Sequence, residues 1–124
     1  MLFVLTWIFL FSGLYTMYPW LDIPMHFFGG ASVAVTYFLI LRFLQEKHQL
    51  VLPGSARIMF VWGLVALTAI LWELFEYSTT IITGLGLQGD LPDTMFDQFL
   101  GLVGGILMAF VLEMIYSNRY FKSK

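Results

Sequence analysis

Residues 84–105 read GLGLQGDLPDTMFDQFLGLVGG and pass from a glycine-rich loop into an apolar helix. Asp90, Asp93 and Asp97 lie within eight positions of this stretch, although the whole chain has only eight acidic residues. A carboxylate without a partner in hydrocarbon costs about 2.5–3.5 kcal/mol. We therefore expect a cation or a proton to neutralise these acids, unless they reach water, and we expect the other helices to meet them.

The composition indicates a membrane protein. Of the 124 residues, 60% are hydrophobic, 19% are aromatic and only 11% are charged, whereas soluble domains average about 25% charged residues. This predicts one transmembrane helical domain over residues 1–124, in contact with the lipid bilayer. The six basic residues are too few for a nucleic-acid surface. Because the chain has no cysteine, disulfides and thiolate ligands are excluded.

Apolar segments separated by prolines, glycines and polar residues predict an all-α bundle of four transmembrane helices. The predicted spans are residues 2–18, 25–44, 58–82 and 93–116. In this arrangement every basic residue falls at one end of the bundle, which the positive-inside rule assigns to the cytoplasm. Both termini are then cytoplasmic. Six of the eight acids, on three separate segments, are expected to meet at the outer end.

Spacing groups these acids into pairs. Glu73 and Glu76 are three residues apart and Asp93 and Asp97 four, so each pair shares one helix face. Together with a histidine from the second span, these faces predict a site for a divalent metal ion. Its predicted ligands are Asp90, Asp93, Asp97, Glu73, Glu76 and His26. Carboxylates favour Mg²⁺, Ca²⁺ or Mn²⁺, and the histidine also admits Zn²⁺.

A bound divalent ion polarises a phosphoryl oxygen or activates water. The predicted catalytic residues are Glu73 or Glu76 as the general base and His26 as a ligand or general acid. Interpretations without a ligand stay open as well. Asp93 could cap a helix, the two glutamates could join helices through hydrogen bonds, and the histidine could bond to a carbonyl.

Two further patterns concern packing. Gly101 and Gly105 form a GxxxG motif, and Gly29 and Gly30 are adjacent in the second span. Small residues at such spacings are typical of helices that approach closely in a membrane. Glu113 lies near the other end of the fourth span, where we expect it to pair with Arg42 or Arg119.

Three motifs together resemble the YjdF-like family of bacterial inner-membrane proteins. They are D-x-x-x-H-F at residues 22–27 followed by Gly29, W-E-x-x-E at residues 72–76, and G-x-Q-G-D-x-x-D-x-x-x-D at residues 86–97. A more distant resemblance is to VanZ-like proteins. The likeness covers about residues 22–105. It implies a multi-pass protein of a bacterial-type inner membrane whose signature polar positions also include Asp22, but it implies no reaction.

The sequence leaves three classes of function open. The first is a membrane enzyme that uses a divalent metal and acts on a lipid or isoprenoid phosphate at the outer leaflet. The second is an ion or proton relay that uses the same acids. The third is an accessory subunit that packs through its apolar surface in a homo-oligomer or a larger membrane complex.

Overall fold

In the computed structural model the chain forms a bundle of long helices. The structure describes residues 17–122 together with residues 8, 12 and 13, and it describes side chains as far as Ser117. A 3-10 turn over Pro19–Leu21 leads into α1 (Asp22–His48). The helices α2 (Gly54–Thr83) and α3 (Leu91–Lys122) follow.

Within the described part of the chain, three helices have the length and composition to cross a membrane. The prediction of four transmembrane helices is therefore wrong. Most of the predicted span at residues 2–18 lies outside the described residues. The segments 25–44, 58–82 and 93–116 lie within α1, α2 and α3, and each helix is longer than its segment. Hydropathy marks only the part in hydrocarbon, about 20 residues, whereas a helix can continue into the interface.

Successive helices run in opposite directions, so α1 and α3 are parallel to each other and antiparallel to α2. We call the start of α1, the end of α2 and the start of α3 the acidic end of the bundle. The basic end carries Arg42, Lys47 and Arg57 on α1 and α2. Both termini lie outside the described residues, so the prediction that they share one side stays a prediction.

The turns between helices follow from local chemistry. Gly84 ends α2 in the left-handed region with φ of 72°, a conformation that glycine adopts without steric cost. At the start of α3, Asp90 Oδ1 accepts a hydrogen bond from the backbone N–H of Asp93 at 3.1 Å. Asp90 is therefore the N-cap of α3, and the interpretation of Asp93 as the cap is wrong.

Glycines allow α1 and α3 to approach backbone to backbone. A Cβ atom built on Gly30 would overlap the carbonyl oxygen of Gly101, and one on Gly104 would overlap that of Phe27. Gly105 instead faces α2, where a Cβ would lie 2.6 Å from a methyl group of Val65. The prediction of close packing is confirmed, and α3 is the helix that holds the other two together.

An apolar core lies between the two ends of the bundle. Its buried members are Ala34, Phe38, Val61, Val65 and Ala109. At the basic end the guanidinium of Arg57 forms a two-point ion pair with Glu113, with Nε donating to Oε2 at 2.8 Å. The prediction that Glu113 pairs with Arg42 or Arg119 is therefore wrong. Arg42 instead pairs with Glu46 and lies over the ring of Tyr116.

We predict that Gly30→Ala destabilises the bundle, because the new methyl group would collide with backbone that cannot move aside. Overpacking of this kind costs about 1–3 kcal/mol or more. Gly63→Ala is the matched control, since a Cβ at that position in α2 meets nothing within 4 Å. The free energy of unfolding of both variants is measured in mixed micelles, by raising the fraction of a denaturing detergent. Equal stability of the two variants would contradict the close α1–α3 contact.

Candidate functional site

Histidine and acidic side chains from all three helices meet at the acidic end. Two triads are arranged so that they could hold a metal ion: Asp22, His26 and Asp97 form one, and His26, Glu73 and Glu76 form the other. Within each triad, the candidate ligand atoms lie within 4.8 Å of one another. Because both triads contain His26, the imidazole is the centre of the cluster.

The distances at His26 suit a shared cation. Its Nε2 lies 3.4 Å from Asp22 Oδ1 and 3.8 Å from Asp97 Oδ2, which is longer than the 2.7–3.2 Å of an ordinary N–H···O bond. Two ligands on one ion at about 2.0–2.6 Å lie no more than about 4–5 Å apart. The triads are therefore compact enough for an ion, and the imidazole is not locked by a short hydrogen bond to either aspartate.

Neutral donors orient the two glutamates. The indole N–H of Trp72 donates to Glu76 Oε1 at 2.9 Å, and the side-chain amide of Gln88 donates to Glu73 Oε2 at 3.1 Å. Only 7% of Glu73 and 9% of Glu76 is exposed. Each buried carboxyl group thus has one oxygen fixed by a donor without charge, and neither contact would neutralise a charge on the pair.

Gln88 connects the α2–α3 loop to both helices. Its backbone N–H donates to Thr80 Oγ1 at 2.9 Å, and its side-chain amide also donates to the hydroxyl of Thr94. The loop therefore holds the end of α2 beside the start of α3. Among the side-chain atoms that the structure describes, Gln88 Oε1 is buried without a hydrogen-bond partner.

The predicted site residues separate into two groups. His26, Glu73, Glu76 and Asp97 come together, and Asp97 is only 6% exposed. Asp90 and Asp93 lie outside both triads and are exposed. The first serves as the helix cap, while the carboxylate of Asp93 turns back towards Gly89, where an added Cβ would meet it.

Three contributors to the cluster were not among the predicted site residues. Asp22 belongs to a triad, while Trp72 and Gln88 donate to the glutamates. All three residues belong to the motifs quoted above, and two of them also show a helical spacing to a predicted site residue. Asp22 precedes His26 by four residues and Trp72 precedes Glu76 by four, which places each pair on one helix face. Gln88 has no such periodic signal, because it lies in a loop.

A cavity of about 530 Å³ extends from the cluster into the bundle. It lies between α1 and α2, which contact each other least, and α3 closes it at the cluster. Its lining residues on α2 extend from Val65 to Glu76, a distance of about 16 Å along the helix axis at about 1.5 Å per residue. Among the described residues that line it there is neither lysine nor arginine.

Three apolar helices with a histidine and acids between them define a helical membrane protein with a candidate metal site. Over residues 1–118 the chain matches the family described as "Predicted membrane protein (DUF2238)", and it belongs to that family. This is the YjdF-like family, so that resemblance and the location in a membrane are confirmed. The likeness to VanZ-like proteins stays a prediction. No curated protein and no solved structure matches the chain.

We predict that Gln88→Met loosens the loop at the acidic end. The variant keeps the side-chain length but removes the donor to Glu73 and the bond to Thr94, at a cost of about 1–3 kcal/mol. Hydrogen exchange of the amides in residues 84–90 should become faster. Leu85→Met, at an exposed position of the same loop, is the control and should exchange as the wild type does. Unchanged exchange in Gln88→Met would show that this network does not hold the loop.

Proposed function

We propose that this protein binds a divalent metal ion at the acidic end, through His26, Glu73 and Glu76. The observation that supports this most directly is the arrangement of the glutamates, each with one carboxylate oxygen held by a neutral donor. Metal-binding carboxylates are commonly oriented by such outer hydrogen bonds. Asp22 and Asp97 lie 3.4 and 3.8 Å from Nε2 of His26, so with the metal bound either carboxylate could move closer and orient the histidine, as is common at metal sites.

The charge balance supports a cation from outside the chain. At the basic end the half-buried acid Glu113 is neutralised by Arg57. At the acidic end Glu73, Glu76 and Asp97 are more deeply buried, and His26 is the nearest ionisable group that can carry positive charge. One imidazolium cannot balance the acids of both triads. A divalent ion would remove most of the cost of burying them.

Zinc and manganese fit the donor set best among the four ions predicted from the sequence. Imidazole nitrogen suits Zn²⁺, and a set rich in carboxylates suits Mn²⁺, whereas Mg²⁺ and Ca²⁺ favour oxygen ligands alone. When bound, the ion would supply Lewis acidity towards a phosphoryl oxygen or a water molecule. A glutamate that holds the ion through one carboxylate oxygen would keep its second oxygen for accepting a proton, which is the role expected of Glu73 or Glu76.

The orientation and the substrate class complete the proposal. By the positive-inside rule the basic end, with Arg42, Lys47 and Arg57, lies in the cytoplasm of a bacterial-type inner membrane. The acidic end then faces the outer leaflet. A lipid or isoprenoid phosphate in that leaflet could reach the site at the level of its head group, so we propose this as the substrate class.

We predict that purified protein binds zinc or manganese in a fixed ratio and that Glu76→Gln abolishes this binding. Asp97→Asn should weaken binding about 10–100-fold, the usual effect of losing a group that supports a metal ligand. Asp93→Asn is the matched control, because that residue lies one turn earlier on α3 but outside both triads. Elemental analysis after dialysis and titration by calorimetry provide the measurements.

Two outcomes would contradict the metal site. Wild-type protein that stays free of metal after incubation with either ion would do so directly. Equal affinities of Asp93→Asn and Asp97→Asn would remove the geometric basis for the site. If both Glu76→Gln and Asp97→Asn are tolerated and the protein copurifies with a larger complex in fixed ratio, the accessory role would be favoured instead.

The apolar core counts against a relay of ions or protons through the bundle. Phe38, Val61 and Val65 are at most 1% exposed and lie between the acidic cluster and the Arg57–Glu113 pair. A conducted ion would have to cross this layer without polar ligands, which is costly in a dry interior.

We therefore predict that the protein does not carry metal ions across a membrane. Vesicles that contain purified protein and an enclosed metal-sensitive dye should respond to external manganese no faster than vesicles without protein, because the core offers no polar path. A separate set of vesicles should contain Val65→Ser. This variant places a hydroxyl in the apolar core, so its response to manganese is compared with that of the wild type. Flux in the wild type that Glu76→Gln abolishes would favour the relay over the proposed function.

A further inference from the structure

The cavity next to the cluster is an elongated slot within the membrane-spanning part of the bundle. Its outer end is formed by the acid–histidine cluster, and its α1 wall includes Val33 and Thr36. At the inner end the hydroxyl of Tyr37 bonds to Thr68 Oγ1 at 3.1 Å, which joins α1 to α2. The slot is thus polar at one end and is closed by side chains at the other.

The slot opens sideways towards lipid. Ser32 and Thr36 line it and are exposed at the surface of α1. Thr68 and Ala69 on the facing wall of α2 are half-buried. Since these residues lie in helices that cross the membrane, a molecule that enters between α1 and α2 comes from the acyl-chain region of the bilayer and not from water.

Three hydroxyls along the slot, those of Thr36, Tyr37 and Thr68, already donate hydrogen bonds within the protein. Thr36 donates to the carbonyl of Ser32 at 3.0 Å, and Thr68 donates to that of Leu64 at 2.8 Å. Because Thr68 uses its proton in this way, the hydroxyl of Tyr37 is the donor in the bond between them. An apolar chain in the slot would leave none of these donors unsatisfied, so its burial there carries no hydrogen-bond penalty.

We propose that the slot holds one hydrocarbon chain of a lipid phosphate whose phosphate group reaches the acid–histidine cluster. The inference rests on the proposed metal site, because the described lining contains no lysine or arginine to bind a phosphate directly. Glu73 and Glu76 would hold the ion, and the ion would supply the positive charge that attracts the phosphate. Recognition of the head group therefore depends entirely on metal, whereas the chain is held by the walls of the slot.

The volume agrees with such a ligand. A cavity of about 530 Å³ lies in the range of about 300–1,000 Å³ that is usual for small-molecule sites. Its length of about 16 Å, from the rise of α2, suits an extended chain. A second chain of the same lipid would stay in the bilayer.

The test uses full-length protein in phosphatidylcholine bilayer discs, loaded with zinc or manganese. The probe is hexadecyl phosphate with a photoreactive diazirine near the end of its chain. After illumination we expect the label on slot residues such as Val33, Thr36 and Ala69. Chelation of the metal should lower the labelling about tenfold or more, because phosphate then meets four carboxyl groups and a single histidine. Hexadecanol with the same diazirine should label the slot weakly, with or without metal.

Ala69→Phe is the decisive variant, because a phenyl ring would fill the slot without replacing a cluster residue. It should lower labelling of the slot about tenfold or more while metal binding stays as in the wild type. Ile70→Phe is the control, since the adjacent side chain is 48% exposed and does not line the slot. Thr36→Phe on the opposite wall provides a second blocking variant if Ala69→Phe does not fold.

The outcomes separate the two proposals. Wild-type protein that binds neither zinc nor manganese overturns the metal site, whether or not a chain is labelled in the slot. If metal is bound and neither Ala69→Phe nor Thr36→Phe lowers the labelling, the proposal that the slot holds the chain is overturned. Equal labelling by hexadecanol overturns recognition of phosphate. A photoreactive residue placed at position 36 that crosslinks to residues 2–16 of the same chain, and not to lipid, would show that the chain itself occupies the slot.

Discussion

The close backbone contact between α1 and α3 is the constraint on which the rest of the structure depends. Gly30 and Gly101 let the two parallel helices approach, and His26 and Asp97 lie four residues before them. Four residues are about one turn, so the same contact brings the imidazole to 3.8 Å from the carboxylate. Helix packing and the candidate site are therefore one arrangement. A larger residue at the contact would separate the ligands as well as the helices.

Much of the cluster could be predicted because helical spacing and charge asymmetry are properties of the sequence alone. Glu73, Glu76, His26 and Asp97 were predicted together, and the structure brings them together. Asp90 and Asp93 were assigned to the same set because spacing does not show where a helix begins. Asp93 and Asp97 share a helix face, but because Asp90 caps the helix, Asp93 lies in its first turn beside the loop. Asp97 lies one turn further along and is buried in the bundle.

Other features depended on contacts between residues far apart in the sequence. The bond from Gln88 to Glu73 crosses a loop whose path has no periodic pattern. The pair between Arg57 and Glu113 joins residues 56 positions apart, and charge alone could not distinguish it from a pair with Arg42. The count of spans failed for another reason. Hydropathy identified three helices correctly, whereas most of the fourth predicted span, residues 2–18, lies outside the described residues.

The acids at the two ends of the bundle have different partners, a charged one at the basic end and neutral ones at the acidic end. This difference supports a ligand at the acidic end. Arg57 satisfies both oxygens of Glu113 and also donates to the carbonyl of Leu52, so this acid is neutralised without another molecule. At the other end the glutamates receive neutral donors. An arginine there would have stabilised them but would also have occupied the carboxylate oxygens that an ion needs. Neutral donors fix the geometry and leave the charge available, which is the combination that a cation site requires.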